Sequence, residues 1–265
     1  MKYNPFFLLI LVLISCSSCS SSQLMNDYKK LNLKGKVSSV KIKQFKAVEN
    51  NGEIIVQSIE QNDKSVVVAI DNHFYFDRNG KTIERHWLMN NTLNRKFLYE
   101  YDDRALLRTE NEYNSRGDLD ATLNYQYKFN DQGQIIEQKQ INGDDENDSF
   151  RKISHFENGF KIKEELYYPN DATPVEIRVF DNDQKGRVVK QTISYSENEI
   201  AEIEMTKYNK DGYPVKITTL YNDTDMVEVS EMRYLEFDKQ GNCTKILILV
   251  NDQPKTILKM EYAYF

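Results

Sequence analysis

The sequence YQYKFNDQGQIIE, Tyr125 to Glu137, contains the pattern that decides the fold. Its first half alternates aromatic with polar side chains, which predicts a β-strand with one apolar and one polar face. Asn130 then opens a turn, Gly133 closes it, and a second apolar run begins at Ile135. An Asp or Asn side chain can bind the backbone two residues on, and Gly accepts the left-handed conformation of such a turn. The stretch therefore predicts a β-hairpin.

The same motif, an aromatic residue followed by Asp or Asn, two polar residues and Gly, recurs along most of the chain. Complete copies are Phe76 to Gly80, Tyr113 to Gly117, Phe129 to Gly133, Tyr208 to Gly212 and Phe237 to Gly241. Degenerate copies are Tyr101 to Ala105 without the Gly, the shorter Phe156 to Gly159, and Phe180-Asp181, which reaches Gly186 through a longer loop. The turn glycines are thus Gly80, Gly117, Gly133, Gly159, Gly186, Gly212 and Gly241. Short connections leave no room for the helical crossovers of parallel strands, so we predict an antiparallel β-meander.

The repeated motif resembles the YD or RHS-type repeat. Leu33 to Val37 near the start, and Phe237 to Lys245 near the end, are similar to stretches of bacterial lipoproteins that carry such repeats. The resemblance covers roughly residue 33 to the C-terminus. It implies a β-repeat scaffold and supplies no catalytic residue. Cys243 and Ala105 depart from the pattern, where an aromatic residue and a turn Gly are more usual.

We predict one all-β domain from residue 33 to residue 265. No linker rich in Pro and Gly divides the chain, and an aromatic content of 12% favours strands. About sixteen strands at a spacing of about 4.8 Å would extend roughly 75 Å if the sheet were flat. Sheets of this width twist, so we expect one large curled or rolled sheet: a half-barrel, an open spiral or a folded-over sandwich. Val37 to Phe45 and Ile257 to Phe265 would be edge strands that can pair between copies.

The residues before the repeats have the composition of a lipoprotein leader. The apolar run Phe6 to Ile14 leads into Leu13-Ile14-Ser15-Cys16, which matches a lipobox. We therefore predict a signal peptide over residues 1–15, a lipidated Cys16, and a flexible Ser-rich tether to residue 32. An ordinary secretory signal or an uncleaved anchor is the alternative, and Cys19 is a poorer lipidation candidate.

The predicted location is the bacterial cell envelope, with lipid at Cys16 as the membrane contact. Ser17 follows that Cys, where inner-membrane lipoproteins of well-studied systems carry Asp. This resemblance implies the outer membrane, and it leaves open whether the domain lies on the periplasmic face or at the cell surface.

Composition and missing motifs argue against several functions. The chain has 35 Lys and Arg against 41 Asp and Glu with both signs interleaved, and no basic stripe is visible, so we expect no nucleic-acid partner. The sequence has no phosphate-binding loop, G-x-S-x-G elbow, CxxC pair or H-E-x-x-H helix, so we predict a protein that is not an enzyme and has neither catalytic residues nor a cofactor. The scattered His73, His86 and His155 predict no metal site, and the acidic run Gly143 to Asp148 predicts a solvated hairpin tip rather than a calcium loop.

A few side chains stand out as candidates for binding. Arg85, His86 and Trp87 are adjacent, and an exposed cluster of this kind could bind a sugar or a peptide, although such a Trp more often fills a core. Cys243 is expected to be a small buried hydrophobic residue, with a reactive thiol as the alternative. The carboxylates at the turns are interpreted as turn residues rather than catalytic groups: Asp77, Asp102, Asp181 and Asp238.

The predicted function is an envelope-anchored, non-catalytic binding or scaffolding module that contacts a protein or a glycan. The alternative is a carrier that holds a lipid or acyl chain on the apolar face of the curled sheet, and an unrecognised enzyme is the third possibility. Carrier function requires a set of apolar residues to line a groove rather than close on one another: Leu123, Tyr125, Tyr127, Ile203, Ile217, Leu258 and Met260. The sequence does not determine the oligomeric state.

Overall fold

The structure, a computed structural model, describes residues 27–58, 70–89, 91–143, 145–196 and 199–265. The predicted signal peptide, the lipidated Cys16 and residues 17–26 of the predicted tether lie outside the described residues. A short helix α1, Asp27–Lys30, precedes the strands. No helix within the described ranges is long and apolar enough to cross a membrane.

Seventeen strands follow α1 in one sheet. They are β1 Val37–Asn50, β2 Glu53–Gln57, β3 Ile70–Phe76, β4 Thr82–Met89, β5 Thr92–Tyr101, β6 Leu107–Asn114, β7 Leu119–Phe129, β8 Ile135–Asn142, β9 Asp145–Glu157, β10 Phe160–Tyr167, β11 Glu176–Asn182, β12 Val188–Ser196, β13 Glu199–Tyr208, β14 Pro214–Tyr221, β15 Met226–Phe237, β16 Cys243–Val250 and β17 Gln253–Tyr264. From β3 to β17 each strand pairs antiparallel with the next strand in the chain, which is the predicted meander.

Strand β1 closes the sheet into a barrel. Its Val40 lies opposite Tyr262 of β17 on one side and opposite Phe74 of β3 on the other. Among the described residues, strand β2 pairs with the far end of β1 alone, where Ala47 opposes Val56, so sixteen of the strands form the ring. The prediction of an open curled sheet was therefore wrong in this respect. The two predicted edge strands pair with each other, and closure leaves neither of them free to pair with a second copy.

Seven hairpin turns share one hydrogen-bond pattern. At Asn130, Gly133 N donates to the Asn130 carbonyl at 2.9 Å, while Gln132 N and Gln134 N donate to Asn130 Oδ1 at 3.1 and 2.9 Å. The same arrangement begins at Asp77, Asp102, Asn114, Asn130, Asp183, Asn209 and Asp238. All seven predicted turn glycines have a positive φ. The side chain that opens each turn thus accepts hydrogen bonds from backbone N–H groups that the pairing between the strands leaves without a partner.

One predicted turn begins later than the sequence suggested. Asp183, not Asp181, opens the turn that ends at Gly186, with Gly186 N donating to the Asp183 carbonyl at 2.9 Å. Asp181 belongs to β11, where its carboxylate lies 3.7 Å from Lys190 Nζ. The turn is of ordinary length, and the interpretation of Asp181 as a turn residue was wrong.

Tyrosine hydroxyls form hydrogen bonds between neighbouring strands at the barrel end where most of these turns lie. Each of five strands places a Tyr whose hydroxyl donates to the first carbonyl of the preceding strand. The pairs are Tyr101 with Thr82 at 2.7 Å, Tyr127 with Leu107 at 2.8 Å, Tyr208 with Val188 at 2.9 Å, Tyr234 with Pro214 at 2.8 Å and Tyr262 with Cys243 at 2.8 Å. Part of the chain's high Tyr content therefore has a structural role.

The segment that contains α1 identifies the inner face of the barrel. Asp27 N donates to Gly80 O beside β4, and five residues later Asn32 Nδ2 donates to Asp211 O beside β14. The path along the sheet between these strands crosses six strand spacings, about 29 Å. The five residue steps from Asp27 to Asn32 span at most about 18 Å, which is much less than this path along the sheet. The sheet must therefore curve towards the face that this segment contacts, and Tyr28, Leu31 and Leu33 pack against that face.

The inner face has two differently built parts. Over β14–β17, β1 and β3 it is apolar, and we call this part the apolar arc; its buried residues include Val40, Phe74, Ile217, Met232, Ile248 and Leu258. Over β4–β13 the inward positions carry charged, amide and Tyr side chains interspersed with apolar ones such as Phe97 and Phe150, and we call this part the polar arc. Residues 27–33 cover the apolar arc at one barrel end, so the folded domain includes the last part of the predicted tether.

Candidate functional site: the polar arc of the barrel

The polar arc contains a first cluster of charged and aromatic groups on β4–β7. Arg85 lies over the rings of Phe74 and Phe97 and donates to Asn72 Oδ1 at 3.0 Å. On the neighbouring strands Tyr125 donates its hydroxyl to Glu110 Oε2 at 3.1 Å. Burial raises the pKa of Glu110, while Tyr125 and Arg85 act in the opposite direction.

A second cluster lies on β8–β11 around a cavity of about 260 Å³. Lys152 Nζ lies 3.5 Å from Glu164 Oε1, and Arg178 Nε lies 2.6 Å from Glu176 Oε1. The lining consists of Gln138, Gln140, Phe150, Lys152, Glu164, Leu166, Glu176 and Arg178. Each charge in the lining has an opposite partner, so the cavity is polar but carries no net charge. We call it the polar cavity.

Two further carboxyl groups stand beside the polar cavity on β13. Glu204 is 8% exposed, and this burial, followed by the nearby charge of Glu202, raises the pKa of Glu204 to about 7. Burial also raises the pKa of Glu202, whose buried Oε1 has no hydrogen-bond partner. Arg178 opposes both shifts. Near neutral pH Glu204 therefore exists partly as a neutral carboxyl that can donate as well as accept a hydrogen bond.

The structure does not bring the predicted Arg85, His86 and Trp87 together. Arg85 opposes Phe97 and Trp87 opposes Arg95, so both point inward, while His86 points outward with Nε2 2.5 Å from Glu84 Oε1. The three side chains therefore do not form the exposed cluster that was considered as the alternative to a core position for Trp87. Successive side chains of a strand point to opposite faces, and residues adjacent in sequence cannot share one.

The other predicted residues are divided between core and surface. Cys243 is buried, and burial raises the pKa of its thiol to about 11, as expected of an unreactive residue. His73 lies opposite His86 on the outer face, and His155 pairs with Glu165 there. Within the part of the chain that the structure describes, no three His, Cys, Asp or Glu side chains are placed to hold a metal ion.

The apolar residues named for a carrier do not line a groove together. Ile203 points outward because its neighbours Glu202 and Glu204 point inward. Leu258 and Met260 instead border an apolar cavity of about 140 Å³ under Leu31 and Leu33. This cavity is separate in its lining from the polar cavity.

Sequence reasoning missed the polar arc. A signal was present, because Glu202, Glu204 and Thr206 alternate with the aliphatic Ile203 and Met205 in β13. The usual rule would place the aliphatic side chains inward. A closed ring of sixteen strands can instead enclose polar groups and water, and in β13 the polar side chains are the inward ones.

A solved structure shares the barrel at low sequence identity. A porin-like protein from Bacteroides uniformis matches with a TM-score of 0.50 at 10% identity, over 87% of this chain and 99% of its own. A weaker likeness is a porin-like protein from Bacteroides vulgatus, with a TM-score of 0.29 at 10% identity, over 86% of this chain and 99% of its own. Another is a TcdB2-TccC3-TEV structure, with a TM-score of 0.34 at 12% identity, over 81% of this chain and 14% of its own. No family model and no curated protein matches the chain. The first likeness shows a shared closed antiparallel barrel.

Proposed function

We propose that the protein is a non-catalytic binding module of the bacterial cell envelope, anchored through lipid at Cys16, whose polar cavity receives a neutral glycan. The observation that carries this proposal is the lining of the cavity: amides, an aromatic ring and compensated charges on a concave wall. Binding sites are typically concave surfaces with a few convergent polar groups.

The chemistry of the lining favours a neutral polar ligand. Gln138 and Gln140 can each donate and accept hydrogen bonds, which suits hydroxyl groups, and Phe150 offers an apolar ring face. The pairs Lys152–Glu164 and Arg178–Glu176 leave no uncompensated charge for an ionic ligand. A volume of about 260 Å³ accommodates a small molecule or the end of a chain and not a folded protein.

A lipid or acyl carrier is the second candidate, and the apolar cavity is too small to favour it. Its volume of about 140 Å³ is close to that of an engineered protein cavity, of roughly 150 Å³, that holds one benzene molecule. An acyl chain is much longer than benzene and would need an apolar cavity of several times that volume.

Binding of immobilised neutral oligosaccharides of glucose, galactose, mannose and N-acetylglucosamine by the full-length lipidated protein in detergent tests the proposal. We expect at least one sugar to bind, and the variant Gln140→Met to bind it about tenfold more weakly because its amide hydrogen bonds are lost. The matched control is Gln126→Met, which changes an exposed amide on the outer face of β7 and should bind normally. No bound sugar, or equal binding by the two variants, would contradict glycan recognition in the polar cavity.

The anchor has a separate test. The N-terminal peptide of the protein purified from a bacterial envelope should begin at Cys16 and carry the mass of an attached diacylglycerol. An unmodified Cys16 would refute the anchor and leave the glycan proposal standing.

A further inference from the structure

The outer face of the barrel mostly places opposite charges beside one another. Lys128 lies 2.9 Å from Glu137, Lys163 lies 2.7 Å from Glu165, and Lys216 lies 3.4 Å from Glu231. Opposite charges across neighbouring strands stabilise a sheet, whereas like charges directly opposite destabilise it. The arrangement over most of the barrel therefore follows the favourable rule.

The outer face of β16, β17, β1 and β3–β5 breaks this rule. Lys245 opposes Lys259, and Lys259 opposes Lys43. In the next row Lys41 opposes His73, His73 opposes His86, and His86 opposes Lys96. We call these seven residues the basic ladder. Its members come from six strands, which explains why no basic stripe is visible in the sequence.

The side chains of the ladder are close enough to influence one another. Burial lowers the pKa of His73, and the charges of Lys41, His86 and Lys43 lower it further. The acidic groups that face the ladder are Glu261 opposite Lys41, Glu84 beside His86 and Lys96, Glu236 beside Lys245, and Asp71 near His73.

The centre of the ladder is uncompensated. Among the described residues Lys41 and Lys43 have no acidic partner within 4 Å, and Lys259 contacts the ring of Phe45 instead of an acid. Other like-charge pairs on the outer face are Lys207 opposite Lys216, where Lys216 also reaches Glu231, and Lys139 opposite Arg151, where Arg151 lies over the ring of Tyr167. Lys43 and Lys259 stand directly opposite each other with no acid between them, which is unfavourable for the isolated barrel, and an anionic partner would remove the repulsion.

We propose that the basic ladder docks on the anionic head groups of the membrane that carries the lipid anchor. The proposal rests on the anchor at Cys16. Asp27 is fixed to Gly80 and Thr82 beside β3 and β4, two strands of the ladder. Cys16 precedes Asp27 by eleven residues, a reach of at most about 40 Å, so the ladder lies within the tether's range of the bilayer surface. Each basic residue near an anionic surface strengthens binding roughly fivefold, so a tethered domain needs few of them.

Lysine labelling of the full-length lipidated protein on vesicles tests this proposal. The protein is placed on vesicles of phosphatidylcholine alone or of phosphatidylcholine with 30% phosphatidylglycerol, and the rate of reaction with an amine reagent is measured by mass spectrometry at each Lys. We expect Lys41, Lys43 and Lys259 to react at least threefold more slowly on the anionic vesicles. Lys128 and Lys163, on the other side of the ring, should react equally on both. High salt should remove the difference because it screens exposed charges.

Matched variants locate the effect. Lys43→Glu combined with Lys259→Glu should abolish the protection of Lys41, while Lys128→Glu combined with Lys163→Glu, with the same change in net charge, should preserve it. Equal labelling of the ladder on both vesicles, or equal protection of Lys128 and Lys163, would overturn the docking proposal. Protection by a soluble polyanion but not by anionic vesicles would also overturn it and assign the ladder to a polymer. Failure of the protein to attach to neutral vesicles would instead refute the anchor.

Discussion

Ala105 is the best position at which to test the energetics of the repeated turn. It has φ +61 at the place where the other six turns of this type have Gly. In an L-residue the left-handed conformation brings Cβ close to the following carbonyl and costs about 1–2 kcal/mol. Glycine avoids this cost but loses more backbone freedom on folding. We therefore expect Ala105→Gly to raise the free energy of unfolding by about 1 kcal/mol.

Gly117→Ala is the reciprocal change in the same turn type. Gly117 has φ +88, and a Cβ built there meets no atom within 4 Å, so the added methyl group strains only the backbone. Both turns have the same closing hydrogen bond, from Ala105 N to Asp102 O at 2.8 Å and from Gly117 N to Asn114 O at 3.0 Å. We expect Gly117→Ala to lower the free energy of unfolding by about 1 kcal/mol.

Thermal and urea unfolding measure the two changes. For a domain of this size 1 kcal/mol corresponds to a shift of roughly 2–4 °C in Tm, upward for Ala105→Gly and downward for Gly117→Ala. The urea midpoints should move in the same directions without a change in slope. If Ala105→Gly is neutral or destabilising while Gly117→Ala destabilises, packing of the Ala105 methyl group outweighs the backbone strain. If Gly117→Ala is neutral, the strain argument fails for the whole set of turns.

Three further changes test other parts of the barrel. The pKa of Glu204 is raised in the fold to about 7 from an ordinary 4.5, so the contribution of Glu204 to stability is greatest below pH 4.5 and is lost as pH rises through 7, by at most about 3 kcal/mol. Glu204→Gln should therefore remove this contribution to the difference in urea unfolding between pH 5 and pH 8. Tyr127→Phe removes the hydroxyl bond to Leu107 O and should cost about 1 kcal/mol in thermal unfolding, whereas Tyr113→Phe, on the outer face, should cost less than half of that. Asn242 is 1% exposed and forms hydrogen bonds with Lys34 N, Lys34 O and Tyr264 OH. Asn242→Ala should therefore lower the free energy of unfolding by about 2–3 kcal/mol and speed amide hydrogen exchange at Lys34. Unchanged exchange would show that these hydrogen bonds do not hold the N-terminal segment.

The turns were predictable because their physics is local. Five consecutive residues, which begin with an Asp or Asn and have a Gly three positions later, contain the whole interaction set, and the structure reproduces it at Asn130 and Asp238. The error at Asp181 shows which residue matters. Asp181 follows the aromatic Phe180, but Asp183 stands three positions before Gly186, and spacing to the Gly decides where the turn opens.

Closure and the inner wall were not predictable because they depend on register between distant strands. Val37 opposes Tyr264 across 227 positions of sequence, and nothing in the alternation of either strand distinguishes a paired edge from a free one. Alternation separated the two faces of β13 correctly but did not say which face is inside. That choice depends on how much space the ring encloses, which is a property of all sixteen strands together.

The outer face limits what the likeness to porin-like structures implies for this chain. A barrel that spans a membrane presents an apolar band about 25 Å tall to lipid, and a Lys at its midplane costs about 2–4 kcal/mol. In this protein the outward positions near the middle of β8, β10 and β14 carry Lys139, Lys163 and Lys216, while the apolar arc faces inward. The shared feature is a closed antiparallel ring. The two proposals made above for attachment are therefore linked: in them the lipid at Cys16 holds the domain near the bilayer, and the basic ladder determines which face of the barrel turns towards the bilayer.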